Sequence, residues 1–176
     1  GQLAVKVFTA RPGGGGSPAN LDGVPVQVGV TGKFVARVDP DPTAKLARPV
    51  PIGVSTGHPL ITAGTIACRV TDGGYVYALS NNHVYANSND ASIGDLALQP
   101  GPYDGGTAAD AIGTLADFQA IDFSGGNNTI DAAIALSTKS DLGFATFPSP
   151  YGYGAPSSTP VLASLNLPVK KYGRTT

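Results

Sequence analysis

Two ionisable residues are placed where they could act together as an acid–base pair. His83 follows an apolar run in YVYALSNNHVYANSND (75–90), and Asp131 interrupts the apolar segment TIDAAIALS (129–137). A carboxylate among apolar neighbours is costly to bury unless a partner compensates its charge. An imidazole N–H is such a partner, because the carboxylate then fixes the ring's tautomer and stabilises it once it has accepted a proton. The two residues could therefore form a general base, for which a serine hydroxyl is the usual nucleophile.

The segments around this pair have the pattern of short strands joined by turns. The chain of 176 residues contains 24 Gly, 15 Pro and only 13% charged residues, which suits strands and turns better than long helices. Asp72-Gly73 lies between two apolar runs and favours a tight hairpin. Strands are predicted at LAVKVF (3–8), VPVQVGV (24–30), FVARV (34–38), ITAGTIACRV (61–70), YVYALS (75–80), DLALQP (95–100), DAIGTLADFQAI (110–121) and TIDAAIALS (129–137). The sequence therefore predicts an all-β protein, either a barrel or a sandwich.

The segments that contain the pair resemble those of a known family. ALSNNHVYA (78–86) resembles the segment around the catalytic histidine of trypsin-like peptidases of the chymotrypsin fold, and NTIDAAIALS (128–137) resembles their aspartate motif. HPLITAGTIACRV (58–70) is similar to the strand that precedes the histidine in that family. The order of the two residues also matches, most closely in the bacterial and plant peptidases that lack disulfides. The resemblance extends over residues 52–137.

The resemblance implies a fold and a division of the chain. Residues 51–150 would form a chymotrypsin-like six-stranded β-barrel that contains the His/Asp pair. Residues 1–50 would form an extra N-terminal strand segment and a Pro-rich linker. Residues 151–176 would form a connector and the start of a second barrel, with VLASLNLPVKKY (161–172) as its strand.

The resemblance also implies an activity. The chain would belong to a serine endopeptidase that hydrolyses polypeptides through an acyl-enzyme, with His83 as the general base, Asp131 as its orienting partner and no cofactor. Two departures stand out: the family's usual Ala-Ala-His is Asn81-Asn82-His83 here, and no Gly-Asp-Ser-Gly-Gly motif follows Asp131. We therefore expect the serine in the remaining C-terminal part of the protease, on the same precursor or on a separate chain. We expect residues 1–176 alone to be inactive.

Two alternatives remain open. The chain could be a non-catalytic β-rich binding or assembly module on a protease-like scaffold. The serine could also be Ser124 in DFSGGNN, but this residue precedes Asp131 by only seven positions in a Gly/Asn-rich turn, which favours a turn residue.

Other reactive side chains favour structural interpretations. His58 precedes Pro59 and is typical of a turn, and Asp110 starts a strand, where we expect it to be solvated. Cys68 alternates with apolar residues as a core residue does. NSNDASIGD (87–95) resembles a calcium loop but has no closing glutamate, and the clustered His and Cys of a zinc site are missing from the sequence. We expect neither metal nor cofactor.

Composition excludes several partner classes. The formal net charge is −1 and the basic residues are scattered, which argues against nucleic acid. No apolar run reaches the roughly 20 residues of a membrane span. A single cysteine cannot form an internal disulfide, and no secretory apolar region is visible at the start, so we expect a reducing, cytoplasmic compartment.

Overall fold

The computed structural model of the chain describes residues 4–9, 12, 16, 18–30 and 40–175. The chain divides into two units, Gly1–Asp39 and Pro40–Thr176. The described residues are mainly β, which confirms the all-β class. The strands are β1 (Val5–Thr9), β2 (Asn20–Leu21), β3 (Val24–Val30), β4 (Ser55–Thr56), β5 (Gly64–Thr65), β6 (Cys68–Asp72), β7 (Tyr75–Ser80), β8 (Leu96–Leu98), β9 (Ala111–Phe118) and β10 (Ala133–Ser137). The helix α1 spans Asn82–Tyr85, and short 3₁₀ turns lie at Asn87–Asn89, Pro102–Asp104 and Ala108–Asp110.

The first unit contains a three-stranded sheet in the order β1-β3-β2. β1 and β3 are parallel, with Val5 opposite Val26, and β2 is antiparallel to β3. The side chain of Asn20 accepts a hydrogen bond of 2.7 Å from the Gly23 backbone, which closes the turn between β2 and β3. The strand predicted at residues 34–38 lies outside the described residues.

The second unit is built on an antiparallel sheet of five strands, in the order β6-β7-β10-β9-β8, beside the two-stranded pair β4-β5. The predicted hairpin joins β6 to β7, with Asp72 paired to Tyr75. Gly73 and Gly74 have φ angles of 54° and 99°, which residues other than glycine rarely adopt. The Asp-Gly-Gly sequence therefore sets the register of the strand that leads to His83.

The core lies on one face of this sheet. In β7 the residues alternate, so that Val76, Ala78 and Ser80 are buried while their neighbours are more exposed. The buried apolar cluster consists of Val50, Ile52, Val54, Ile66, Val76, Ala78, Val84, Tyr85, Ala86, Ala97, Ile112, Leu115, Ala133, Ala135 and Leu142. Burial of such side chains contributes about 1.5–3 kcal/mol each for the larger members, relative to leaving them in water.

The second unit begins before the predicted boundary at residue 51. Leu46 packs against the core, and Val50 forms a bridge to Leu142 with a hydrogen bond of 2.8 Å from Gly143 to the Val50 carbonyl. The Pro-rich segment from Pro40 onwards is therefore part of the second unit's packing.

The prediction of a strand over residues 161–172 is wrong. Residues 151–175 contain no strand, and residues 155–171 are exposed throughout. Val161, Leu162 and Leu165 are 74%, 95% and 93% exposed. None of the described strands pairs with this segment, so its backbone groups do not form a ladder. The described residues as a whole form several sheets and no closed barrel. None of the helices in the described ranges has the length and apolar character that crossing a bilayer requires.

Candidate active site

His83 lies in the first turn of α1, directly after β7. β7 ends at Ser80, whose hydroxyl donates a hydrogen bond of 2.7 Å to the Thr65 carbonyl. Asn81 is extended, and α1 begins at Asn82. The helix is anchored because Val84 and Tyr85 are buried in the core. His83 lies on the opposite side, with 55% of its side chain exposed.

A glycine allows α1 to approach the sheet. A Cβ atom at Gly64 would lie 2.3 Å from Cγ2 of Val84, closer than any side chain tolerates. The position of His83 therefore depends on a glycine at residue 64, since any larger residue would push α1 away from the sheet.

Asp131 lies two residues before the start of β10, and its carboxylate contacts His83. Its Oδ2 lies 2.6 Å from His83 Nδ1, and its Oδ1 accepts hydrogen bonds from the backbone N–H groups of Asn82 at 2.7 Å and His83 at 3.4 Å. The Asn81 side chain donates a further bond of 3.1 Å to the Asp131 carbonyl. The structure thus brings together the two residues that the sequence pattern pairs across 48 positions.

The environment keeps Asp131 ionised. Partial burial raises its pKa, but the hydrogen bond from His83, the charge of that ring when it is protonated, and the backbone N–H groups of Asn82 and His83 more than offset this and lower the pKa. A carboxylate only accepts hydrogen bonds, so Nδ1 of His83 holds the hydrogen in this contact. Nε2 is then left to accept a proton on the exposed side of the ring.

Ser124 does not contact this pair. Its hydroxyl donates a hydrogen bond of 2.6 Å to Asp122, and its backbone N–H donates another of 2.7 Å to the same carboxylate oxygen. These are the contacts of a polar turn. Among the described residues, no hydroxyl group is hydrogen-bonded to His83.

His58, interpreted from the sequence as a turn residue, is buried and bonded. Its Nε2 lies 3.1 Å from Asp95 Oδ2, and its Nδ1 accepts a hydrogen bond of 3.1 Å from the Leu60 backbone. Its own backbone N–H donates to the Val84 carbonyl at 2.9 Å. The backbone of His58 is therefore hydrogen-bonded to α1, and the residue is only 3% exposed.

Asp110 is buried, so the expectation that it is solvated is wrong. It closes a capping box with Thr107 and forms an ion pair with Lys45, and only 5% of it is exposed. The Lys45 hydrogen bond, followed by those of Thr107, lowers the pKa of Asp110 to about 2.

Cys68 packs against the apolar cluster as a half-buried residue, and burial raises the pKa of its thiol. Asp90 and Asp95 are the acidic residues of the segment that resembles a calcium loop. Among the described residues, they do not form a cluster with other acidic side chains. In the part of the chain that the structure describes, no group of three or more His, Cys, Asp or Glu could hold a metal ion.

Sequence reasoning missed an amide network beside the pair. Asn82 is completely buried, and its side chain is hydrogen-bonded to Asn89 and to the Gln119 carbonyl. Asn89 is bonded in turn to both backbone groups of Ile121. The available signal was the run of four asparagines, at positions 81, 82, 87 and 89, within nine residues around a lone histidine.

Comparison of the chain with protein-family models, with curated proteins and with solved structures finds no match. The geometry of His83 and Asp131 is therefore the basis for proposing a function.

Proposed function

We propose that this chain is the part of a trypsin-like serine endopeptidase that supplies the general base. The observation behind the proposal is the short contact of 2.6 Å between His83 Nδ1 and Asp131 Oδ2, with Nε2 on the exposed side of the ring. A histidine oriented by a carboxylate, with its other nitrogen accessible, is the arrangement that activates a hydroxyl nucleophile.

The strand order supports a six-stranded barrel of the chymotrypsin type. β5 continues through Ile66 and Ala67 into β6, since Ala67 donates a hydrogen bond of 2.8 Å to the Leu79 carbonyl in β7. At the other edge of the sheet, Gly57, which follows β4, exchanges hydrogen bonds of 3.2 and 2.9 Å with Leu98 in β8. The neighbours therefore follow the order β4, β5–β6, β7, β10, β9 and β8, which is the order that a six-stranded barrel would need, although β8 and β4 share no ladder. The closing contact is a single bridge.

The proposed reaction follows from the roles of the two side chains. His83 Nε2 removes the proton of a serine hydroxyl as the serine oxygen attacks the peptide carbonyl. His83 then donates this proton to the leaving amine, and the C–N bond breaks to give an acyl-enzyme. Water attacks the ester in the same way and restores the serine. Throughout, Asp131 remains ionised and holds the ring through Nδ1–H.

The test compares two proteins: residues 1–176, and the same chain extended by whatever follows Thr176 in its gene. Cleavage of fluorescent casein is measured for both. We expect activity only in the extended protein. His83→Ala should abolish it, and Asp131→Asn should lower kcat by about 10⁴-fold. Ser124→Ala is the matched control and should retain full activity, because its hydroxyl is bonded to Asp122.

Two outcomes would contradict the proposal. One is cleavage that survives His83→Ala. The other is an extended protein that folds and contains no serine needed for cleavage, which would leave the non-catalytic binding module as the better account.

A further inference from the structure

A fully buried amide lies directly beside the His/Asp pair. Asn82 precedes His83, is 0% exposed, and donates its backbone N–H to Asp131 at 2.7 Å. Its side-chain Nδ2 donates to Asn89 Oδ1 at 2.8 Å and to the Gln119 carbonyl at 2.7 Å. Its Oδ1 accepts from the Asn89 backbone at 3.1 Å. Both polar atoms of this buried side-chain amide therefore have protein partners.

These contacts join the two halves of the pair by a second route. Gln119, whose carbonyl accepts from Asn82, donates its own backbone N–H to the Ala132 carbonyl at 3.0 Å. Ala132 is the residue after Asp131. The side chain of Asn82 is thus linked to the segment of Asp131 and Ala132, called here the Asp131 segment. Its backbone belongs to α1, called here the histidine turn because it contains His83.

Asn89 extends the connection and holds the amide of Asn82. Its φ angle is 81°, and its side chain and its backbone N–H both contact the amide of Asn82. Its Nδ2 donates to the Ile121 carbonyl at 2.7 Å, and its Oδ1 accepts from the Ile121 backbone at 2.9 Å. The reciprocal Asn82–Asn89 contact therefore connects the histidine turn to the irregular segment that leads to Asp131.

Neither member of the pair is positioned by a sheet ladder. α1 has four residues, and Asp131 lies two residues before β10 begins. We propose that Asn82, held by Asn89, is the positioning residue that keeps the His83 turn and the Asp131 segment in register. Its importance for turnover depends on the proposed function, whereas its effect on the geometry of the pair does not.

The test is an NMR titration of the Asp131 carboxyl carbon in the full 176-residue chain. In the wild type the midpoint should lie below the ordinary value of an aspartate, because the His83 ring and two backbone N–H groups stabilise the carboxylate. Asn82→Ala and Asn89→Ala should each raise this midpoint by at least about 0.5 pH units, since the turn separates from the carboxylate. The double variant should shift it no further than the larger single shift, because both residues act through one network.

Gln99→Leu is the matched control. Gln99 is also a buried amide, 3% exposed, and its side chain bridges the backbone groups of Ala44 and Leu46. This variant should lower Tm and leave the Asp131 midpoint unchanged.

Each outcome decides the question. An unchanged Asp131 midpoint in folded Asn82→Ala overturns the proposal, as does an equal shift in Gln99→Leu, which would indicate general loosening. If Asn82→Ala does not fold, Asn89→Ala and Asn82→Ser decide by the same criterion. The titration needs neither a serine nor turnover, so a failure of the protease proposal leaves this result intact.

Discussion

Replacement of Asp131 by asparagine removes one charge and keeps the shape of the side chain. The carboxylate accepts on both oxygens: Oδ1 from the backbone of Asn82 and His83, and Oδ2 from His83 Nδ1. An amide has only one oxygen. If that oxygen faces the two backbone N–H groups, its NH₂ group faces Nδ1. The ring then changes to the tautomer with hydrogen on Nε2, which cannot accept a proton from a serine.

The expected loss of stability is modest. A hydrogen bond to a charged group contributes about 1.5–3 kcal/mol and a neutral one about 0.5–1.5, so the exchange costs about 1 kcal/mol. The Asp131 side chain is 36% exposed, and solvent screening reduces this to about 0.5–1 kcal/mol at neutral pH. The contacts of Asp131 lower its pKa, so its stabilisation is present above the ordinary aspartate pKa and is lost as the pH falls through the lowered value.

Urea unfolding of wild type and Asp131→Asn at pH 7 and at about pH 2 measures this difference. We expect a deficit for the variant at pH 7 that disappears at low pH. Asp117→Asn is the control, because Asp117 is exposed and, among the described residues, its carboxylate accepts a hydrogen bond only from the backbone N–H of Phe118. It should leave stability nearly unchanged at both pH values. An equal deficit at both pH values, or none at pH 7, would refute the electrostatic account of the pair.

Two further predictions concern the scaffold around the site. Asp110→Asn should flatten the dependence of Tm on pH between about 4 and 2. The Lys45 contact lowers the pKa of Asp110 to about 2, so the stabilisation that it provides is lost as the pH falls through that value. A calorimetric pH series with an unchanged slope would contradict this. Gly64→Ala should cost about 1–3 kcal/mol in urea unfolding, because the added Cβ overlaps Val84 and forces α1 outwards; wild-type stability would show that this close approach is not required.

Strands with strong alternation could be predicted from the sequence, often to the residue. VPVQVGV coincides with β3 because valine recurs with the period of a sheet, and YVYALS coincides with β7 because it is a short apolar run that starts directly after a turn signal. The hairpin before β7 could also be predicted, because Asp-Gly-Gly supplies the positive φ angles of a tight turn. The long predicted strand at 61–70 is divided, with β5 ending at Thr65 and β6 starting at Cys68. Local alternation does not reveal a change of pairing partner.

Two errors have one physical origin, since burial is decided by distant residues. The segment at 161–172 alternates like a strand but finds no partner among the described strands and stays exposed. Asp110 ends the 3₁₀ turn directly before β9, and Lys45 and Thr107 compensate its charge, so it can be buried. Neither contact is visible from the neighbouring sequence.

The His/Asp pair could be predicted because a lone carboxylate in an apolar segment requires a partner, and the chain has only two histidines. The other histidine, His58, is paired with Asp95. The asparagine network beside the pair could not be predicted, because asparagine is also the usual residue of turns, and only the fold distinguishes the two uses.

The most informative single measurement is the tautomer of the neutral His83 ring, because it reports which ring nitrogen is held by Asp131. Long-range ¹H–¹⁵N correlation of the imidazole in the wild-type chain distinguishes the two forms. In the neutral ring we expect the hydrogen on Nδ1, which faces Asp131, and none on Nε2. A neutral ring with its hydrogen on Nε2 would contradict it.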